Sequence, residues 1–363
     1  MMSDIRSFVF EILKAAIWKM PVRGQEGFGV KEWSKVYSVL GMHGLAAFAY
    51  DAVAALPADM KPPKEVAMKF ISSALAAEKN YAKFAGIDRE IGEMVRESGC
   101  KAVRLKGLTL SEYYPKPFTR KFVDIDLYSP DNGDEIDSFF RLKGVAVDDG
   151  FYRHSHFHLD GVLVENHKCL LDVRGRRRMR ELDKDLKSMA VERLSSESTP
   201  GIYDPPVKLS AIFNLHHALS HFIYEGISLK FLTDWIYFLR AEKALMGSEE
   251  MMKSIERHGL MKFAGMMTRV CVDCLAYPEE WLPSYLREAA SQIRPSVERK
   301  FIDDLFRPYE PSHHKSILKE RMNNVRRIMK ASWKPSEFLG QSAVSFVAEK
   351  FIPILLGRRY EAD

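Results

Sequence analysis

Asp124 and Asp126 stand two residues apart in the run Arg120-Lys121-Phe122-Val123-Asp124-Ile125-Asp126-Leu127-Tyr128. Side chains alternate along a strand, so both carboxylates share one face while Val123, Ile125 and Leu127 turn toward the core. Like charges held this close repel unless a cation lies between them, and oxygen donors suit Mg²⁺ or Mn²⁺. Upstream, Lys101 to Leu105 reads as a short strand, Lys106-Gly107 as a turn, and Leu108 to Tyr114 as a helix. A glycine there lets backbone approach a ligand, and Lys106 adds a positive charge suited to phosphate oxygens. Downstream, Val162 to Asp172 reads as a second acidic strand with Leu163, Glu165 and His167 on one face. Glu165 is the candidate third acid, with Asp160 and Asp172, which border the same strand, as alternatives. A phosphate-binding turn beside acids on two strands has the parts of a metal-dependent nucleotidyl-transfer centre.

Taken together, Leu105-Lys106-Gly107, Tyr114-Pro115, Arg120, Asp124-Ile125-Asp126-Leu127 and Glu165-Asn166-His167 resemble the uncharacterised nucleotidyltransferase family, type 5, of the polymerase β-like superfamily. That family also carries a histidine-rich helix and then a basic residue four before an aspartate, matched by His217, His221, Lys230 and Asp234. The resemblance implies an NTP co-substrate and a divalent metal, Mg²⁺ or Mn²⁺. Asp124, Asp126 and Glu165 are expected to be catalytic and metal-binding. Lys106, Gly107, Arg120 and Lys230 are expected to bind the nucleotide. The acceptor hydroxyl is left open among a small molecule, a protein and a tRNA end, and a non-catalytic nucleotide-binding module is the rival reading. Two departures stand out. Lys106-Gly107 replaces the superfamily's Gly-Ser turn, and Asn166 stands where the family more usually has a hydrophobic residue.

Other residues have plainer expected roles. Arg120 either neutralises the acids or reaches a triphosphate, whereas Lys230 and Asp234 are expected to pair with each other. His217, His221 and Glu225 recur at steps of four and read as a polar seam on one helix. His154, His156 and His158 alternate on one strand but lack a fourth zinc ligand, so hydrogen bonding is the expectation. Arg174 to Arg180 contains five arginines and reads as a solvated basic turn.

The surrounding chain must position these groups. Helical spacing fills the first hundred residues, with helices over Ile5 to Lys19, across Lys31 to Leu56, and over Lys64 to Glu97. Strands are expected at Ala102 to Leu105, Val123 to Tyr128, Val145 to Tyr152, Ser155 to Leu159 and Val162 to Asp172, with a helix over Gly133 to Lys143. Asp204-Pro205-Pro206 predicts an N-cap for a helix running through His221, and helical spacing continues to Leu356, including one helix over Ser312 to Ile328 and one over Phe338 to Leu356. The expected fold is α+β: a small mixed sheet (residues 100–200) flanked by an N-terminal helical region (1–99) and a C-terminal helical domain (201–363).

Composition agrees with a folded protein of ordinary type. Of 363 residues, 46% are apolar and 28% charged, enough for a sizeable core. The charge of +5 is modest, although His314 to Lys334 is strongly basic. No uninterrupted apolar run suggests a membrane span, and Asp4, Arg6, Glu11 and Lys14 break any leader-like segment, so a cytoplasmic protein is expected. Four cysteines make no disulfide framework, and Cys271 and Cys274 have no second pair to complete a zinc site.

Overall fold

The computed structural model describes residues 2–23, 28–130, 132–173, 177–307 and 317–355. The chain opens with helices α1 (Met2–Trp18), α2 (Val30–Met42), α3 (Ala46–Ala54) and α4 (Lys64–Glu97). The last of these starts after Pro62-Pro63 and stops before Gly99, whose φ of +78° suits glycine. It buries Val66, Phe70, Phe84, Ile87, Ile91 and Val95.

Then come β1 (Lys101–Arg104), the single turn α5 (Leu108–Ser111), β2 (Asp124–Tyr128), α6 (Gly133–Leu142), β3 (His154–Leu159), β4 (Val162–His167), α7 (Arg177–Ser195) and β5 (Gly201–Tyr203). The five strands form one mixed sheet in the order β3-β4-β2-β1-β5. β2 runs parallel to β4 and antiparallel to β1, while β3 and β4 form an antiparallel hairpin. Ten helices complete the described chain: α8 (Val207–Tyr224), α9 (Leu229–Ala241), α10 (Lys243–Met246), α11 (Glu249–Arg257), α12 (Met261–Leu275), α13 (Ser284–Ser291), α14 (Pro295–Leu305), α15 (Ile317–Lys330), α16 (Trp333–Leu339) and α17 (Ala343–Leu355). This is the α+β architecture expected from the sequence. No helix among the described residues is long and apolar enough to cross a membrane.

Two cores hold these elements. One lies between the sheet, α4 and α6, where Phe84, Ile87, Ile125, Leu127, Ile136, Phe140, Phe157 and Val164 meet. The other joins α1, α2 and α3 to the C-terminal helices, bringing Phe8, Leu13 and Trp33 into one cluster with Phe222, Trp235 and Phe263. Because one face of β2 and β4 supplies the first core, alternation turns Asp124, Asp126 and Glu165 to the opposite face.

Several local expectations are corrected. Val123 precedes the strand and is 64% exposed, so the alternation that buries Ile125 and Leu127 does not reach it. Val145 to Tyr152 forms no strand: only the Asp148–His156 bridge pairs, and Asp148 instead turns the chain by accepting from the Gly150 amide. β4 stops at His167. The arginine-rich segment is the first turn of a helix over Arg177, Arg178 and Arg180, whose buried side is Leu182, Leu186, Ala190 and Leu194; Arg174 and Arg176 lie outside the described residues. Asp204 does not cap α8, which Pro206 precedes; its carboxylate accepts from Arg104 at 2.7 Å. Gly340, with φ +64°, separates α16 from α17 where one helix was expected, and Ser312 to Ser316 lie outside the described residues.

Candidate active site

Strand register assembles the acids. In the parallel pair, Asp126 lies opposite Glu165 and Asp124 opposite Leu163, so Asp124 sits one step along the same face. On the next strand His156 pairs with Glu165 and His154 with His167, which extends the polar face across the hairpin. Asp126 is fully buried, whereas the side chains of Asp124 and Glu165 keep 19% and 20% of their exposure.

Two cations hold these carboxylates together. Lys106 Nζ lies 3.0 Å from Asp124 Oδ2 and 3.0 Å from Asp126 Oδ2. Burial alone would lower its pKa, but the two carboxylates outweigh that and hold it above the ordinary lysine value. His167 Nε2 lies 3.0 Å from Asp126 Oδ1 and 3.4 Å from Glu165 Oε2, while Nδ1 faces the Cys169 carbonyl at 3.4 Å. Both ring nitrogens meet acceptors, which favours the imidazolium. Burial lowers its pKa and the hydrogen bonds to the two acids more than restore it. Asp126 shows the reverse balance: burial raises its pKa, and Lys106 with His167 brings it well below the usual carboxylate value.

The Lys-Gly turn is fixed from behind. Gly107 has φ +68°, and a Cβ there would approach the Asp124 carbonyl to 3.3 Å, so glycine serves both the conformation and the close approach. α5 is one turn long rather than reaching Tyr114, so its N-terminus offers little dipole. Arg120, 5% exposed, reaches the Gly107 carbonyl with Nη1 at 3.0 Å. Its Nε and Nη2 fork onto Asp234 at 2.8 and 2.9 Å, and Asp234 also accepts from the Tyr114 hydroxyl at 2.7 Å. Arg120 therefore braces the turn against Asp234 of α9, with three of its five N–H donors on protein acceptors. The expected Lys230–Asp234 pair is replaced by this fork, which only the planar guanidinium can make. Removing one partner strands a buried charge: Arg120→Met should lower stability by about 3–5 kcal/mol in urea unfolding, and Arg120→Lys should recover less than half of the loss.

A cavity of about 690 Å³ opens beside this turn, lined by Lys106, Gly107, Asp124, His217, Lys230 and Phe231 among others. Lys230 follows the cap residue Ser228 at the start of α9, and its Nζ donates to the Lys121 carbonyl at 3.2 Å. Its pKa is lowered to about 8, first by burial and then by the neighbouring Arg120 and Lys106. His217 is held well below the ordinary histidine value by burial and by the nearby His221, Lys106 and Lys230. Its ring stands 4.5 Å from that of His221 and 5.8 Å from that of Phe231. The expected seam on α8 is thus part of a cavity wall.

On the hairpin, His154 Nε2 points at Glu165 Oε1 from 3.7 Å and His156 pairs with Asp148 at 3.6 Å. Burial lowers the His154 pKa to about 4 despite Glu165, so this ring is neutral near pH 7. His167, on the same strand face as Glu165, can either orient that acid or simply pack. Its distances to two of the three acids give it that role.

A mixed five-stranded sheet with acids on one face and a Lys-Gly turn at the end of β1 makes this an α+β protein with its polar groups gathered at one face of the sheet. The chain belongs to the family described as uncharacterised nucleotidyltransferase, whose model matches residues 30–276. No curated protein and no solved structure shows a significant match. Such a family implies a divalent metal, and the residues present fit one. Asp126 and Glu165 offer carboxylate oxygens within 4.8 Å of each other, and buried Asp126 Oδ2 accepts no hydrogen bond of good geometry.

Proposed function

We propose that the chain transfers a nucleoside monophosphate from an NTP to an acceptor hydroxyl. The observation that carries this reading is the register placing Asp126 beside Glu165, with Asp124 one step along and the Gly107 turn adjoining. Asp124, Asp126 and Glu165 are the residues that would hold Mg²⁺ or Mn²⁺, with His167 orienting two of them. A bound divalent ion would neutralise the phosphate oxygens and favour ionisation of the attacking hydroxyl. The chain's own groups do the rest. Lys106 and Lys230 attract the triphosphate, and Gly107 allows its oxygens close to backbone. The acceptor oxygen forms a bond to the α-phosphorus, the α–β bridging bond breaks, and pyrophosphate leaves. Glu165, the acid of the three that has no lysine partner, would take the hydroxyl proton.

Catalysis of this kind is positioning and charge neutralisation, which is why the site needs a braced turn more than a strong base. The test is pyrophosphate release and label transfer from α-labelled NTPs with Mg²⁺ or Mn²⁺, using small alcohols, protein and tRNA as acceptor pools. One observation favours a second reading. The buried Lys106 ammonium already bridges Asp124 and Asp126, and a permanent counter-ion there would leave a nucleotide-binding module without turnover. NTP binding without pyrophosphate release from any pool would favour that module.

Lys230 gives the reading a pH signature. With a folded pKa of about 8, below the unfolded value, it binds fewer protons in the folded state, so its contribution to stability rises with pH through this range. Triphosphate binding favours the protonated form. NTP affinity should therefore be highest below pH 8 and fall by about tenfold as pH rises above it. Lys230→Met should flatten that fall in calorimetric titrations between pH 6.5 and 9.5.

A further inference from the structure

The cavity that adjoins the acids also reaches the C-terminal helices, and its charges are not evenly used. Each acid in its wall has a basic partner. Asp124 faces Lys106 at 3.0 Å, Asp234 faces Arg120 at 2.8 Å, Asp304 faces Lys334 at 2.6 Å, and Glu225 faces His221 at 3.0 Å. Further cations line the same space in two places. Lys121 and Lys230 stand at the sheet end, joined by the contact between Lys230 Nζ and the Lys121 carbonyl. Arg307, Arg327 and Lys330 stand at the other end, beyond α14 and on the last turn of α15.

Helix α8 gives the separation. His217 feels Lys106 and Lys230, whereas the Phe222 carbonyl accepts from Lys334, which anchors the far end. Between His217 and Phe222 the axis of α8 advances roughly 7–8 Å at the usual rise per residue. Arg307 and Lys330 are weakly engaged among the described residues. Among these, Arg307 pairs with the Asp304 oxygen not taken by Lys334, at 3.7 Å, and exposed Lys330 makes no ion pair. Between the two ends the wall is largely apolar, with Ile223, Phe231 and Trp235.

A nucleoside triphosphate has a single anionic end. Lys121 and Lys230, with Lys106 bridging the acids, already supply positive charge where that end must lie. We propose that the far end receives a second anion: the phosphate of the acceptor, an alcohol that carries its own phosphate group, seated on Arg307 and Lys330 with Arg327 beside them. Its hydroxyl would then extend along the apolar wall toward Asp124. The proposal rests on the transferase reading and adds the acceptor's class to it.

The test uses the full chain with Mg²⁺ and each of the four α,β-methylene nucleoside triphosphates, followed by inorganic phosphate, with both bindings read by calorimetry. The nucleotide-saturated wild type should bind phosphate. The double variant Arg307→Glu with Lys330→Glu, on exposed positions and checked by its melting curve, should lose at least about tenfold in phosphate affinity while keeping nucleotide affinity within about threefold. Glycerol 3-phosphate and a short RNA with a free 3′ hydroxyl are then added as competitors. Displacement by the first assigns a small phosphorylated alcohol, displacement by the second assigns a nucleic-acid end, and displacement by neither overturns the acceptor assignment. Absence of phosphate binding overturns it too, as does equal loss of nucleotide by the variant, which would give these cations to the triphosphate. Failure of the wild type to bind any nucleotide appears before phosphate is added; it removes the transferase reading and this proposal together.

Discussion

Asp126→Asn should reduce nucleotidyl transfer by at least about a thousandfold, because the substitution keeps the shape but removes the charge on which the other groups converge. Asp126 is fully buried, and it faces Lys106 at 3.0 Å and His167 at 3.0 Å. An asparagine would leave an ammonium and an imidazolium facing a neutral amide. Stability should fall along with activity, by about 3 kcal/mol in denaturant unfolding, with part of the loss recovered at a pH high enough to deprotonate His167. The same change at Asp124, which is partly exposed and bonded to Lys106 alone among the site cations, should cost comparable activity and less stability. Equal turnover of Asp126→Asn and wild type would remove this residue from the centre.

Lys106→Met should separate two roles that act in opposite directions. The ammonium lies between Asp124 and Asp126, so a divalent cation binding those oxygens has to compete with it. Without nucleotide, the variant should bind Mn²⁺ at least about tenfold more tightly than wild type, read by the loss of the free Mn²⁺ resonance. Lys230→Met removes a cation from the same cavity without vacating the bay between the acids, and should change Mn²⁺ affinity much less. Turnover should move the other way, falling by about a hundredfold, because the triphosphate loses its point charge at the turn. In the wild type a nucleotide offers Lys106 another anionic partner, which makes metal and nucleotide binding mutually supportive by linkage. Unchanged Mn²⁺ affinity in Lys106→Met would show that the ammonium does not occupy the metal's place and would remove the counter-ion argument for the module without turnover.

What the sequence disclosed follows physical range. Asp124, Asp126 and Glu165 were visible because alternation is a local property, and the Lys-Gly turn because a positive φ selects glycine. The pairing of Asp126 with Glu165 depends on β4 lying beside β2, a strand order that alternation cannot supply. Arg120 shows the same limit. It stands four residues before Asp124, which suggests an active-site charge, but its partner Asp234 is 114 residues away on α9. In α7 the charged run over Arg177 to Arg180 hid a helical period carried by Leu182, Leu186, Ala190 and Leu194. The far cations of the cavity were legible only as a basic stretch, because nothing local shows that α15 closes over α8.

The helical core that unites α1 with the C-terminal helices also sets an order of events during synthesis on the ribosome. The Trp18 indole donates to the Leu275 carbonyl at 2.6 Å, and Phe8 and Leu13 share a cluster with Phe263. At about 5–20 residues per second, α1 emerges roughly 10–50 s before α12 exists to cover it. Through that interval the part of its apolar stripe that α12 covers faces water or a chaperone, and it is still uncovered when the acidic strands have already been made.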